Sequence, residues 1–219
     1  MTFCLETKLI KPDFDNEIKN IVVLLHGYGG DGNDIAQVSL NWKRFLPNTL
    51  FVCPNAPEIC PINPSGYQWF DLSQDEEGFI LNESKKNEIV LKDFLKEIKN
   101  KFAISNSKIC LSGFSQGCMM SINVGLSSDE KYSGILGFSG KIINKKDLSQ
   151  RMTFKSETLL IHGENDDIVP CVNSLEAKDF LERNKVPVKL EIVKNCGHHI
   201  PIEASSLGLK FIKKIFNIN

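Results

Sequence analysis

KICLSGFSQGCMMSINVG, residues 108–125, is the stretch on which the fold turns. Ile109, Cys110 and Leu111 form a short apolar run, predicted to be a buried strand. Met119, Met120, Ile122 and Val124 follow at spacings that suit a buried helix. Between the two stands Gly113-Phe114-Ser115-Gln116-Gly117, a G-x-S-x-G pattern. A serine on so tight a strand-to-helix turn is forced into a strained backbone conformation, and flanking glycines let the neighbouring elements approach closely. That strain lifts the Ser115 hydroxyl clear of the sheet. It also leaves the Gln116 N–H at a helix N-terminus, where negative charge is stabilised. A glycine-punctuated turn can carry a serine by chance, so the reading needs an acid and a histidine downstream, in that order.

A serine hydroxyl is a poor nucleophile until an imidazole takes its proton, and the imidazole needs a carboxylate to fix its tautomer. The chain has four histidines. His26 precedes Ser115, the wrong side for this order, and reads as a structural hydrogen-bonding residue. His162 ends an apolar run and is expected to bond loop backbone. His198 and His199 remain, in Asn195-Cys196-Gly197-His198-His199, just past the last expected strand, where open α/β sheets assemble their sites. The acid is expected in His162–Pro170, where Glu164, Asp166 and Asp167 compete. The residues alone do not separate Asp166 from Asp167, or His198 from His199.

Upstream, Ile21–Leu25 is rich in β-branched residues and reads as a fully buried strand. It runs into His26-Gly27-Tyr28-Gly29-Gly30-Asp31-Gly32. A phosphate cradle would carry GxxxxGK[ST], which is absent. An oxyanion loop, where glycine lets a main-chain N–H reach a reacting carbonyl oxygen, explains the four glycines better than a plain turn does. Thr2–Ile10 alternates weakly and could be an edge strand; Asn33–Phe45 looks helical and Thr49–Cys53 is a further strand. Asn55–Leu72, with Tyr67, Trp69 and Phe70, is expected to be an irregular loop that either lines a pocket or lies on the surface pinned by its own aromatics. The acidic Gln74–Glu83 segment reads as a solvated loop, and Asn87–Phe102 as an amphipathic helix. Gly134–Phe138, Thr158–Ile161 and Val188–Val193 read as strands, with helices at Ser174–Asn184 and Ser205–Phe216 and a polar surface excursion over Ser139–Glu157. Strands alternating with helices imply crossover units and a mostly parallel sheet covered on both faces, an α/β class with one domain over 1–219.

Bulk properties narrow the function. A net charge of −1 gives no nucleic-acid-binding surface. No run approaches the ~18 apolar residues of a membrane span, so stable membrane insertion is not expected. Residues 1–20 lack the apolar core of a secretory signal. Seven cysteines, an odd count with no CxxC, read as free thiols in a reducing, cytoplasmic compartment. Monomer and homodimer both remain open.

Four blocks together resemble a known family: LLHGYGGDGND at Leu24–Asp34, GFSQG at Gly113–Gly117, HGENDDIVP at His162–Pro170 and GHHI at Gly197–Ile200. Their content and order are similar to the phospholipase/carboxylesterase branch of α/β-hydrolases, which includes acyl-protein thioesterases and small bacterial carboxylesterases. Trp69-Phe70-Asp71 resembles that family's aromatic segment. The resemblance implies the α/β-hydrolase fold, with Ser115 as nucleophile, Asp166 as acid and His198 as base. It implies main-chain N–H donors at Tyr28 and Gln116, an acylated or small-molecule substrate, and no metal or organic cofactor. Tyr67, Trp69 and Phe70 are the candidate substrate-binding residues. Esters, thioesters and lysophospholipids share the acyl carbonyl such a site reads, so the triad does not choose among them. A peptidase or dienelactone-type hydrolase, or a non-catalytic binding protein on the same fold, are the competing readings.

Overall fold

The computed structural model describes residues 3–13, 17–74 and 76–218. Among these residues seven strands form the central sheet: β1 (Thr7–Ile10), β2 (Asn20–Leu25), β3 (Thr49–Pro54), β6 (Ile109–Phe114), β7 (Gly134–Phe138), β8 (Thr158–Gly163) and β9 (Val188–Val193), in the order β1-β3-β2-β6-β7-β8-β9. Only β1 runs antiparallel, pairing with β3; the other pairings are parallel. β4 (Glu58–Cys60) and β5 (Asn63–Gln68) make a separate two-stranded hairpin.

The central strands are buried along their length except at Phe114, the half-buried end of β6, as expected of a parallel sheet with both faces covered. Alternate residues of β2 serve the two faces. Ile21, Val23 and Leu25 pack with Leu91, Phe94, Leu95 and Ile98 of α2 (Glu77–Phe102) and with Met119, Met120 and Val124 of α3 (Gln116–Leu126). Val22 and Leu24 pack with Ile35, Ala36 and Trp42 of α1 (Gly32–Trp42) and with Phe211 and Ile212 of α6 (Ile202–Ile215). A third cluster joins α3 to Leu148 of α4 (Lys145–Arg151) and to Ala177 and Leu181 of α5 (Val172–Arg183).

Three segments depart from the sequence reading. Helix α2 begins ten residues before Asn87, so much of the acidic segment is helix; its acids sit near the positive end of the helix dipole, where they are favoured. Asp75, in that segment, and Thr2, in the expected first strand, lie outside the described residues. The expected irregular loop Asn55–Leu72 contains the β4–β5 hairpin. The expected surface excursion Ser139–Glu157 holds α4, whose Arg151 bonds both oxygens of the buried Glu88 carboxylate, at 3.2 and 2.9 Å. That ion pair ties the excursion to α2.

Candidate active site

The C-terminal ends of β2, β6, β8 and β9 converge on one rim of the sheet, and each delivers a piece of the site. At the end of β6, Ser115 has φ 53° and ψ −117°, left-handed strain for a residue with a Cβ. Two glycines make this turn possible. A Cβ on Gly113 would lie 2.2 Å from the Gly117 carbonyl carbon, and one on Gly117 would lie 2.1 Å from the Leu25 carbonyl oxygen. Helix α3 therefore starts almost in contact with β2, and the serine is held at its tip.

The loop after β9 brings His198 to that serine. Ser115 Oγ–H donates to His198 Nε2 at 3.1 Å, and His198 Nδ1–H donates to Asp166 Oδ2 at 2.7 Å. The carboxylate can only accept, so the proton resides on Nδ1 and Nε2 is free to receive one. The Phe114 ring packs against the His198 ring with centroids 4.7 Å apart, which restricts how the imidazole can tilt. Asp166 is buried in the loop after β8, whereas Asp167 is exposed. Asp166 Oδ1 accepts from the Ile168 and Val169 N–H groups at 3.1 and 2.9 Å. Burial alone would raise its pKa, but the bonds from His198, Val169 and Ile168 outweigh this and hold the carboxyl below its ordinary value. His199 is exposed and hydrogen-bonds neither Ser115 nor Asp166; its Nε2 lies 4.0 Å from Cys196 Sγ.

The other two histidines carry structural bonds, as read from the sequence. His26 Nε2 accepts from the Ala56 N–H at 2.9 Å and its Nδ1–H donates to the Gly27 carbonyl at 2.7 Å, so the ring is neutral; burial lowers its pKa further. His162 Nε2 faces only acceptors, the Val169 carbonyl at 2.7 Å and Asp166 Oδ2 at 3.2 Å, so it carries the proton. Burial also lowers the His162 pKa, against the pull of Val169 and Asp166. This second imidazole on the Asp166 carboxylate was not anticipated. Its only trace in the sequence is the spacing of four residues, which in a loop carries no geometric meaning.

A cleft of about 310 Å³ opens beside His198, lined by Tyr28, Ile35, Val38, Phe114, His199 and Ile200 among others. The main-chain N–H groups of Tyr28 and Gln116 donate to no protein acceptor among the described residues. The aromatic segment lies elsewhere. Trp69 and Phe70 are buried in the core on the α2 face, so they do not wall this cleft, and neither does the half-buried Tyr67. Their part is to brace the serine turn. Gln116 Oε1 accepts from the Trp69 N–H at 3.0 Å, its Nε2 donates to the Phe70 carbonyl at 2.8 Å, and the Trp69 indole donates to the His26 carbonyl at 3.0 Å. Among the described residues, no cluster of His, Cys, Asp and Glu could hold a metal ion, and no helix is long and apolar enough to cross a membrane.

The parallel sheet, its crossovers and the strained serine turn define an α/β-hydrolase. The chain belongs to the phospholipase/carboxylesterase family, whose model matches residues 10–216. It is 31% identical over 210 residues to acyl-protein thioesterase 1 of Gibberella zeae, covering 88% of this chain and 89% of that protein. The crystal structure of esterase PE8 superposes with a TM-score of 0.92 at 35% identity, covering 96% of this chain and 99% of that one. Zea mays acyl-protein thioesterase 2 shares the fold, with a TM-score of 0.75 at 20% identity over 96% of this chain and 99% of that one.

Proposed function

We propose that this chain hydrolyses acyl esters or acyl thioesters through a Ser115–His198–Asp166 triad and an acyl-enzyme intermediate. The observation that carries the proposal is the unbroken hydrogen-bond line from the Ser115 hydroxyl through the His198 ring to Asp166 Oδ2, with bonds of 3.1 and 2.7 Å, on a strained serine turn. Family membership and the esterase and thioesterase relatives support the same reaction class.

In this mechanism His198 Nε2 takes the Ser115 proton as Oγ attacks the acyl carbonyl carbon. The Tyr28 and Gln116 N–H groups, aided by the N-terminal dipole of α3, receive the oxyanion. Each such donor is worth about 3 kcal/mol in the transition state. Collapse of the adduct breaks the bond to the alcohol or thiol, which leaves with the proton from His198. Water then repeats the sequence on the acyl-serine, releasing the acid and restoring Ser115. Asp166 stays ionised throughout, holding the Nδ1–H and balancing the imidazolium.

The apolar cleft walls Ile35, Val38, Phe114 and Ile200 fit the acyl portion of the substrate. At about 310 Å³ the cleft is near the small end of ligand pockets, about 300–1,000 Å³, which favours short and medium acyl chains. We place the reaction in the reducing cytoplasm, supported by seven free cysteines of which five are buried. The test is hydrolysis of chromogenic acyl esters and acyl thioesters of graded length. Activity should be highest for the shorter acyl groups and lost in Ser115→Ala; full activity in that variant refutes the triad.

A further inference from the structure

The Tyr28 N–H can grip an oxyanion only if the glycine-rich loop that carries it is held still. Left to itself that loop is loosely tied: Gly27–Gly30 closes through one turn bond, from the Gly30 N–H to the Gly27 carbonyl at 3.1 Å, and Gly29 sits at φ 76°, where only glycine is unstrained. Three further bonds reach it from the β4–β5 hairpin. The Gly29 N–H donates to the Tyr67 carbonyl and the Tyr67 N–H donates to the Gly30 carbonyl, both at 2.9 Å. Asn63 Nδ2 donates to the Gly29 carbonyl at 2.7 Å.

The contact is close enough to demand glycine on the hairpin side as well. A Cβ on Gly66 would fall 2.0 Å from the Gly29 carbonyl oxygen and 2.6 Å from its carbon. The residue after the proposed oxyanion donor is therefore pinned through both its N–H and its C=O. The whole clamp belongs to a segment outside the main sheet. Among the described residues, Asn63 makes no hydrogen bond to Ser115, His198 or Asp166.

We propose that the β4–β5 hairpin sets the oxyanion loop, with Asn63 as a positioning residue and Gly66 as the gap through which the two segments meet. The proposal rests on the serine mechanism above, because it assigns the hairpin an effect on transition-state binding. A loop displaced by a fraction of an ångström keeps its place in the cleft wall but misdirects the Tyr28 N–H. The ground-state substrate is then bound as before, and the oxyanion is not.

Asn63→Asp is the sharpest variant. It is nearly isosteric and replaces the amide donor facing the Gly29 carbonyl with a second acceptor, so attraction becomes repulsion. Asn63→Ala only removes the donor, and Asn63 is exposed, so both variants should fold. Gly66→Ala pushes on the same carbonyl directly. The expected result is a kcat reduced about tenfold or more in Asn63→Asp, less in Asn63→Ala, with KM within twofold of wild type and little change in melting temperature. Affinity for an acyl trifluoromethyl ketone, which binds as the tetrahedral oxyanion adduct, should fall by the same factor as kcat. Ser115→Ala is run alongside. Full hydrolysis in that variant removes the serine mechanism and the hairpin's role with it. An inactive Ser115→Ala together with wild-type kcat and ketone affinity in Asn63→Asp overturns the hairpin proposal alone. So does a variant that loses only melting temperature or raises only KM.

Discussion

Asp166→Asn separates a carboxylate that fixes the His198 tautomer from one that merely fills space. The wild-type Oδ2 accepts the His198 Nδ1–H at 2.7 Å, while Oδ1 accepts the Ile168 and Val169 N–H groups. In asparagine the carbonyl oxygen keeps the two main-chain donors, which places the NH₂ group against His198. Two donors then face each other. The ring relieves this by moving its proton to Nε2, where it confronts the Ser115 hydroxyl and can no longer accept from it. The same NH₂ group also opposes the His162 Nε2–H, 3.2 Å from the oxygen it replaces. Loss of the correct tautomer in a serine triad costs about 10⁴ in kcat. At about 1.36 kcal/mol per tenfold this is about 5 kcal/mol of transition-state stabilisation. The assay is steady-state hydrolysis of a short-chain chromogenic ester, with Asp167→Asn as the comparison because that side chain is exposed. Asp167→Asn should remain within a few-fold of wild type. A kcat for Asp166→Asn within tenfold of wild type, or a larger fall in Asp167→Asn, refutes the reasoning.

Three further outcomes concern stability. His26 and His162 are buried with folded-state pKa values below 6.5, so the unfolded chain binds protons first as the pH drops. Stability is then lost from about pH 6.5 downward, at up to about 1.4 kcal/mol per pH unit for each ring; a urea midpoint that stays flat between pH 7.5 and 5.5 contradicts their neutral burial. Asp166 acts lower on the scale, because its depressed pKa stabilises the fold above the unfolded carboxylate value of about 3.9, and that contribution disappears as pH falls through the folded value. Gly117→Ala forces a methyl to 2.1 Å from the Leu25 carbonyl oxygen, a backbone atom fixed in β2. It should cost at least about 2 kcal/mol, a melting temperature lower by about 4–8 °C, and an unchanged melting curve would show that α3 does not sit against β2.

The parts of this molecule that were legible in the sequence are those whose pattern is local. The buried strands read as short apolar runs because both faces of the sheet are covered, and G-x-S-x-G is readable because its five residues sit together in one turn, even though Gly117 answers to Leu25 in β2. Asp166 and Asp167 are indistinguishable as letters; burial and the Ile168 and Val169 N–H groups tell them apart. The first turns of α2 look like loop in sequence because their acids hide any apolar stripe, Ile80 being the sole buried residue of the helix before Ser84. In sequence Trp69 and Phe70 look like pocket lining because aromatics in a proline-bearing loop often are. Here the chain folds back and uses them to fill the α2 side of the core. The β4–β5 strands mix exposed, half-buried and buried residues with no sustained alternation. The hairpin is tied instead by bonds to a loop more than thirty residues earlier in the chain.

The central claim is tested most directly by treating wild-type and Ser115→Ala protein with an organofluorophosphonate and mapping the adduct by mass spectrometry. Wild type should gain one adduct on the Ser115 peptide as ester hydrolysis disappears, and Ser115→Ala should gain none and hydrolyse nothing. An unlabelled Ser115 in active protein, or undiminished hydrolysis by Ser115→Ala, contradicts it.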